Sequence, residues 1–238
     1  MSDSDRAITG ILLRRVPYGD YDMVLTVLSE TLGRVACFAR GARRAKKNWV
    51  GSFVPGNRLT VHLAPSRRSG MPSVVSIDLV TDRSASLAQP GRLARAAYLL
   101  ELTDRVVQDG EEAVGLTRSC SLALDAIALP LTSRWFELAV LRHLGIDPGA
   151  HCGRCGCFCA RGARLAWNGE GLLCGDCVAA PLTLDPAAIT ALVELGSAPV
   201  PPEGPPNKAL GHLFSSLLKP QVGVLKSVAL AATLEPER

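Results

Sequence analysis

The chain has 238 residues, of which 47% are hydrophobic and 20% charged, with a formal net charge of +4. This composition is typical of globular proteins and excludes a disordered chain, and the length allows one large core or roughly two to three small ones. No run approaches about 18 uninterrupted apolar residues, and the N-terminal MSDSDRAITG has acids where a signal peptide has cations. We therefore expect no membrane association and a cytoplasmic location.

Five short apolar or alternating segments occupy the first 80 residues. Turn-forming stretches such as PYGD and ETLG divide them, which is typical of β-strands. Five short strands predict a small closed barrel, for which an OB-fold and an SH3-like barrel are the two alternatives. The segments are AITGILLRRV, DMVLTVLSE, GRVACFARGA, NRLTVHLA and PSVVSIDLV.

The third segment leads into a run of positive charge, GRVACFARGARRAKKNW at 33–49. From residue 31 to residue 77 there is no acid in 47 positions, against nine arginines and lysines. Such a surface favours a polyanion, here DNA or RNA, and the neighbouring Phe38, Trp49 and Phe53 either stack on bases or belong to the core. The candidate nucleic-acid contacts are Arg34, Arg40, Arg43, Arg44, Lys46 and Lys47.

Beyond Gln89 the apolar residues change to helical spacing. Three apolar stripes, at 93–107, 116–127 and 136–144, each end near a glycine or proline and predict three core-facing helices. Two further helices are predicted at 181–195 and 207–218.

The cysteines give the strongest local signal, CGRCGCFCARGARLAWNGEGLLCGDC. Cys152, Cys155, Cys174 and Cys177 form two C-x2-C turns with 18 residues between them, which predicts a closed tetrahedral zinc site of structural type. Cys157 and Cys159 leave alternatives open: one could replace Cys155, the set could hold an iron–sulfur cluster, or both are spare thiols, the simplest interpretation. The isolated Cys37 and Cys120 are predicted to be buried apolar residues.

No catalytic centre is apparent in the sequence. It contains no G-x-S-x-G, no P-loop and no G-x-G-x-x-G, so we expect a binding protein and not an enzyme. Two other classes remain as alternatives: an RNA-binding zinc-ribbon protein of the ribosome or of RNA metabolism, and a transcription regulator with a helical sensing domain. The four histidines are scattered and are predicted to have ordinary structural roles: His62, His143, His151 and His212.

Several motifs occur in a fixed order along the chain. G-R-V and A-R-G-A-R precede the basic loop, RWFELAVLRHLGIDP leads into CGRC, GLLCGDC follows, and LLKPQVGVLKS lies near the C-terminus. In this order they resemble the bacterial recombination mediator family RecO. The resemblance covers nearly the whole chain, although the basic loop ends sooner than in some relatives and QVGVLKS stands where a Gly-Gly pair is common.

The resemblance implies an α+β multidomain fold. It has an N-terminal five-stranded OB-fold barrel and an α-helical C-terminal domain with an inserted four-cysteine zinc finger. The corresponding domains are 1–80 for the DNA-binding barrel, 81–150 and 179–238 for the two parts of the helical domain, and 151–178 for the finger.

The resemblance also implies a function in DNA repair and recombination. Such proteins bind single- and double-stranded DNA without sequence specificity, anneal complementary strands, and with RecR help to load RecA on DNA coated by single-strand-binding protein (SSB). They also recognise the acidic, apolar C-terminal tail of SSB, for which we expect Arg134, as the first choice, and Arg142, as the second, to supply cations beside an apolar groove. A protein of this kind is nucleoid-associated.

Overall fold

The computed structural model describes residues 6–44, 49, 52–64, 71–166, 171–179, 181 and 183–228. The chain forms two compact units. The first takes in the chain up to Ile127 and again from Leu225, and the second is Ala128–Val224. Among the described residues, no helix combines the length and apolar character needed to cross a membrane.

The first unit is built on a five-stranded antiparallel sheet in the order β3-β2-β1-β4-β5. Three strands follow one another as hairpins and the fourth returns to pair with the first, which is a Greek key. The N–H of Phe38 donates to the carbonyl of Pro72 at 2.8 Å, joining β3 to the approach to β5. This is the predicted OB-fold. The strands are β1 Arg6–Tyr18, β2 Asp22–Ser29, β3 Gly33–Ala39, β4 Arg58–Leu63 and β5 Val74–Thr81.

The barrel core explains why the strands could be recognised from alternation. In β4, Leu59, Val61 and Leu63 are buried while the residues between them are only partly buried. Trp49 and Phe53 also belong to this core, with their rings edge to face at 6.0 Å between centroids. Because both rings are buried, they are not available to stack on bases.

Two helices pack in the same unit, α1 Pro90–Val106 and α2 Val114–Asp125. Arg83, only 4% exposed, lies between the barrel and α2. Its guanidinium donates to the carbonyl of Gly56, to Asp125 and to the hydroxyl of Ser121, each at 2.8 or 2.9 Å. Its backbone N–H donates to the side chain of Asn57. A buried charge is tolerated when it is paired and hydrogen-bonded in this way.

The described part of the second unit contains three helices and a two-stranded sheet. Phe136 and Phe214, both fully buried, contribute to its packing. Asp185 caps α4 by accepting from the N–H of Ala188 at 2.7 Å, and Pro186 occupies the first turn, so this helix begins later than the sequence predicted. The elements are α3 Thr132–His143, β6 Ala163–Ala166, β7 Gly171–Cys174, α4 Pro186–Ser197 and α5 Lys208–Val222.

The compact units group the first two helices with the barrel, whereas the predicted domains divide the chain at residue 80. A unit defined by packing is not the same as an independently folding domain, so the domain boundaries stay a prediction.

The chain returns to the first unit at Leu225. The carboxylate of Glu101 on α1 accepts from the N–H of Ser227 at 2.7 Å and of Lys226 at 3.0 Å, at the start of a last helical turn. Burial alone would raise the pKa of Glu101, but these two N–H groups and the nearby Arg105 outweigh it and lower the pKa. The ionised carboxylate therefore holds residues 225–227, the LKS segment, against α1.

We expect the Glu101 contact to be lost in acid. Because the folded pKa is below the ordinary value of 4.5, the contact contributes fully above about pH 4.5 and is lost as the pH falls through the folded pKa. The backbone amide signals of Lys226 and Ser227 should titrate there by nuclear magnetic resonance. Glu101→Gln should remove that titration and Glu112→Gln, at an exposed position, should not. Amide signals that stay constant to acid pH would contradict the assignment.

Candidate nucleic-acid interface and metal centre

The turn that follows β3 is fastened to the turn between β1 and β2. Gly41 adopts a left-handed φ of 65°, and its N–H donates to the carboxylate of Asp22 at 2.6 Å. The N–H of Arg43 donates to the carbonyl of Tyr21 at 2.9 Å. A glycine is needed at the centre of A-R-G-A-R because other residues adopt this φ only with strain. The first part of the basic loop therefore has a defined position on the barrel.

Three cations of the predicted set are exposed in this turn: Arg40, Arg43 and Arg44. Among the described residues, Arg43 and Arg44 form no ion pair, so their charges are available to a ligand. The predicted contacts Lys46 and Lys47 lie outside the described residues. The structure therefore brings three of the six predicted cations together.

Two exposed tyrosines lie beside these arginines. Tyr18 is 61% exposed and its ring meets the half-buried Phe38 edge to face at 5.4 Å, and Tyr21 is 52% exposed. The guanidinium of Arg44 lies 4.7 Å from the centre of the Tyr21 ring, a cation–π contact. We call these residues the arginine–tyrosine surface: Tyr18, Tyr21, Phe38, Arg40, Arg43 and Arg44. Sequence analysis missed the tyrosines, although their place in the turn PYGDYD was a signal of exposure.

Arg34 lies at the opposite end of β3, about 20 Å from Arg40 at the usual rise per residue. Its guanidinium donates to Asp109 at 2.9 Å and to the carbonyl of Asp104 at 2.8 Å. The hydrogen bond with Asp109 raises the pKa of Arg34 more than burial lowers it. The structure thus separates Arg34 from the arginine–tyrosine surface and gives its charge carboxylate partners.

The four cysteines of the two C-x2-C turns come together. Their Sγ atoms all lie within 4.8 Å of one another, and those of Cys155 and Cys174 are 3.7 Å apart. Four thiolates at 2.3 Å from a tetrahedral zinc have neighbouring sulfurs about 3.8 Å apart. The cluster Cys152, Cys155, Cys174 and Cys177 therefore has the dimensions of a four-thiolate metal site.

Backbone bonds position both turns of this cluster. The N–H of Gly156 donates to the carbonyl of Cys152 at 2.8 Å, which closes the first turn. The N–H of Gly153 donates to the carbonyl of Leu172 in β7 at 2.8 Å, which fastens the first turn to the strand that ends in Cys174. The hairpin of β6 and β7 thereby holds the two pairs of ligands opposite each other.

The electrostatics of the cluster fit a cation. The backbone N–H groups of Cys174 and Cys155 lower the pKa of Cys152 to about 6, which favours the thiolate that a metal binds. The neighbouring thiol of Cys155 raises the pKa of Cys177. Several thiolates this close repel one another, and a divalent cation at their centre removes that repulsion. All four ligand positions would be filled by protein, so such a site is structural.

The other cysteines fall into two kinds. Burial raises the pKa of Cys37 and of Cys120 to about 12, and both are fully buried, which confirms them as small apolar core residues. Cys159 is also buried, whereas Cys157 is exposed with its Sγ 3.4 Å from that of Cys155. The fifth and sixth thiols of the finger are therefore not equivalent.

The two arginines predicted for partner binding have different surroundings on α3. Arg134 forms an ion pair of 2.6 Å with Glu137, which is 1% exposed. Arg142 donates to the carbonyl of Gly196 at 3.1 Å and lines a cavity of about 250 Å³. Leu138, Leu192 and Val193 give that cavity apolar walls. Of the two positions, only Arg142 lines this cavity, where it also forms an ion pair of 3.6 Å with the exposed Asp147.

Family models match almost the whole chain. The model described as "Recombination protein O N terminal" covers residues 1–83, and "Recombination protein O C terminal" covers 87–209. The chain belongs to the RecO family. The first model contains the arginine–tyrosine surface and the second contains the four-cysteine cluster.

Individual RecO proteins are similar in sequence to this chain over most of their length. A "DNA repair protein RecO" of Anaeromyxobacter dehalogenans (strain 2CP-C) is 36% identical over 190 residues, 77% of this chain and 75% of its own. That of Anaeromyxobacter sp. (strain K) is 33% identical over 237 residues, 96% of this chain and 89% of its own. That of Myxococcus xanthus (strain DK1622) is 32% identical over 205 residues, 81% and 83% respectively. The chain is thus a RecO-family DNA repair protein.

Proposed function

We propose that the chain binds single- and double-stranded DNA without sequence specificity and anneals complementary strands. The observation that carries this proposal is the arginine–tyrosine surface on the OB-fold barrel. Its exposed arginines can follow a phosphate backbone, and contacts to phosphate position a nucleic acid without reading its sequence. Annealing needs this indifference to sequence, because strand repulsion must be screened while the base edges stay free to pair. No catalytic group takes part.

The tyrosines give the same surface a way to hold unpaired bases. Stacking of a base on an aromatic ring contributes about 1–3 kcal/mol and accepts every base. Tyr18 and Tyr21 are exposed next to the arginines, whereas Trp49 and Phe53 are in the core and are not available for stacking. Phe38 supports Tyr18 from the side. We therefore assign base stacking to Tyr18 and Tyr21, and phosphate contacts to the basic turn.

In the cell this activity would serve recombination. With RecR, the chain would help to load RecA on SSB-coated DNA, as the RecO family membership supports. The contacts with phosphate would come from Arg40, Arg43 and Arg44, continued by Lys46 and Lys47, with Arg34 as a weaker member because its charge already has partners.

Neutralising the basic turn should flatten the salt dependence of binding to single-stranded DNA. Each phosphate contact contributes about 0.7 to the log-log slope, so Arg40, Arg43 and Arg44 changed together to Gln should lower it by up to about 2.1. Adding Lys46→Gln and Lys47→Gln raises the limit to about 3.5. Annealing of complementary strands should slow in parallel. A matched variant with the exposed Arg118, Arg161 and Lys219 changed to Gln should keep the slope.

The tyrosines provide a contrast in the same titration. Tyr18→Ala with Tyr21→Ala should weaken binding to single strands by about 1–3 kcal/mol for each stacked base. The salt slope should stay constant because no charge is lost, and changing both residues to Phe should restore binding. If folded variants of the basic turn keep the salt slope and the annealing rate of the unchanged chain, the assignment of DNA binding to this turn is wrong. A preference for structured RNA over single-stranded DNA would favour an RNA-binding function.

We also propose that the four-cysteine cluster holds one structural zinc ion. Purified protein should contain about one zinc per chain, and Cys174→Ser should lose it and loosen the finger because a four-thiolate site organises its own fold. The barrel should still fold, since its core is built from other residues. Metal analysis measures the zinc content, and circular dichroism measures whether the variant is folded. Protein that contains iron, or no metal after purification without chelators, would contradict the assignment.

For the SSB tail we propose the cavity beside Arg142. An acidic, apolar peptide needs apolar walls and a cation at the rim, and the cavity supplies Leu138, Leu192 and Val193 with Arg142. Arg134, the first choice from the sequence, becomes the second position, because its ion pair with the buried Glu137 is shorter than that of Arg142 with the exposed Asp147, 2.6 Å against 3.6 Å.

Arg142→Ala should weaken binding of a fluorescent SSB-tail peptide by about tenfold, the loss expected from one charge-assisted hydrogen bond. Arg134→Ala should have a smaller effect if its only role is the pairing with Glu137. A second cavity of about 420 Å³, lined by Arg164 and His212, provides the alternative location. Peptide binding that survives Arg142→Ala but is lost in Arg164→Ala would move the site there.

A further inference from the structure

The first C-x2-C turn carries a thiol next to a ligand position. Cys157 follows Cys155 after a single residue, and their Sγ atoms are 3.4 Å apart. Both side chains are exposed, whereas Cys152 and Cys174 are buried. Cys157 also lies within hydrogen-bonding reach of the thiol of Cys174, so it contacts both the ligand that it would replace and one that would stay.

The backbone holds Cys157 in that place. The N–H of Cys152 donates to the carbonyl of Cys157 at 2.8 Å, which ties the first ligand to the fifth thiol. Gly156 between the two cysteines has a φ of 74° and makes the tight turn possible. On the other side, Cys159 is fixed by its N–H to the carbonyl of Ala150 at 2.9 Å, with its side chain only 1% exposed. Cys157 therefore makes a direct sulfur contact with the cluster, 3.4 Å from Cys155, that places it to reach a metal.

We propose that Cys155 and Cys157 are interchangeable ligands of the metal site. Cys152, Cys174 and Cys177 supply three constant thiolates, and either of the two exposed thiols completes the set. The inference rests on the proposed zinc site. Zinc has no geometric preference of its own among equal thiolate donors, so the ligand set is decided by which sulfur is within reach.

The exchange balances without an outside reactant. The Cys157 sulfur forms a bond to zinc, the bond from Cys155 breaks, and the proton released by the Cys157 thiol passes to the departing Cys155 thiolate across the 3.4 Å between them. The site holds four thiolates before and after, so its charge does not change.

Cobalt substitution of the full-length chain tests the proposal, because the intensity of the thiolate charge-transfer band counts sulfur ligands. Cys155→Ser and Cys157→Ser should each bind about one cobalt with the four-thiolate spectrum of the unchanged chain. Changing both to Ser should reduce the band to that of three thiolates and weaken metal affinity by more than about 100-fold. The controls are Cys159→Ser and Cys155→Ser with Cys159→Ser, which should keep four thiolates.

A Cys155→Ser variant that shows three thiolates, or that loses metal as fully as the double variant, would overturn the proposal. Failure of the unchanged chain to give a four-thiolate spectrum would instead remove the zinc assignment, and this inference with it.

A second measurement applies even if Cys155→Ser does not fold. Zinc release to a chelator should be faster from Cys157→Ser than from the unchanged chain, because the spare thiol that would refill an opened coordination position has been removed, and equal rates would overturn the exchange.

Discussion

The buried guanidinium of Arg83 is the interaction on which the first unit depends. Its contacts with Gly56, Asp125 and Ser121 join the segment before β4, the end of β5 and helix α2. Removing the carboxylate of Asp125 would leave the buried guanidinium without its ion pair, which is more destabilising than losing an ion pair between two exposed side chains. The barrel and its first helices are therefore held together by a polar bond as well as by apolar packing.

The arginines at the two ends of strand β3 have different roles. At the start of β3, Arg34 is joined to Asp104 and Asp109 and serves the packing of the unit. After its end, Gly41 and Asp22 direct the chain so that the arginines of the basic turn face solvent. At the start of β3, acids from α1 and the residues that follow it pair with a guanidinium, whereas after its end the carboxylate of Asp22 accepts from a backbone N–H. The other end keeps its positive field.

The sequence predicted elements that depend on local pattern and missed relations between distant residues. Strands with one buried face alternate, helices with one buried stripe repeat, and C-x2-C turns assemble ligands locally, so all three were recognisable. The pairing of Arg34 involves residues 70 and 75 positions away, and no local signal contains it. The burial of Trp49 and Phe53 was hidden, because aromatic residues serve both core and surface, whereas the exposure of Tyr18 and Tyr21 had a signal in the turn PYGDYD. Only the folded barrel shows which of these aromatic rings lie in the core.

The return of Leu225 to the first unit makes the second unit an insertion into the first, entered after Ile127 and left at Val224. A chain shortened at residue 224 would therefore lose part of the barrel-containing unit although its sequence ends with the helical one. Expression of the barrel unit by itself would need both segments, joined by a linker in place of 128–224. Changes that shorten or alter the LKS segment would therefore act on α1, and through it on the unit that carries the arginine–tyrosine surface.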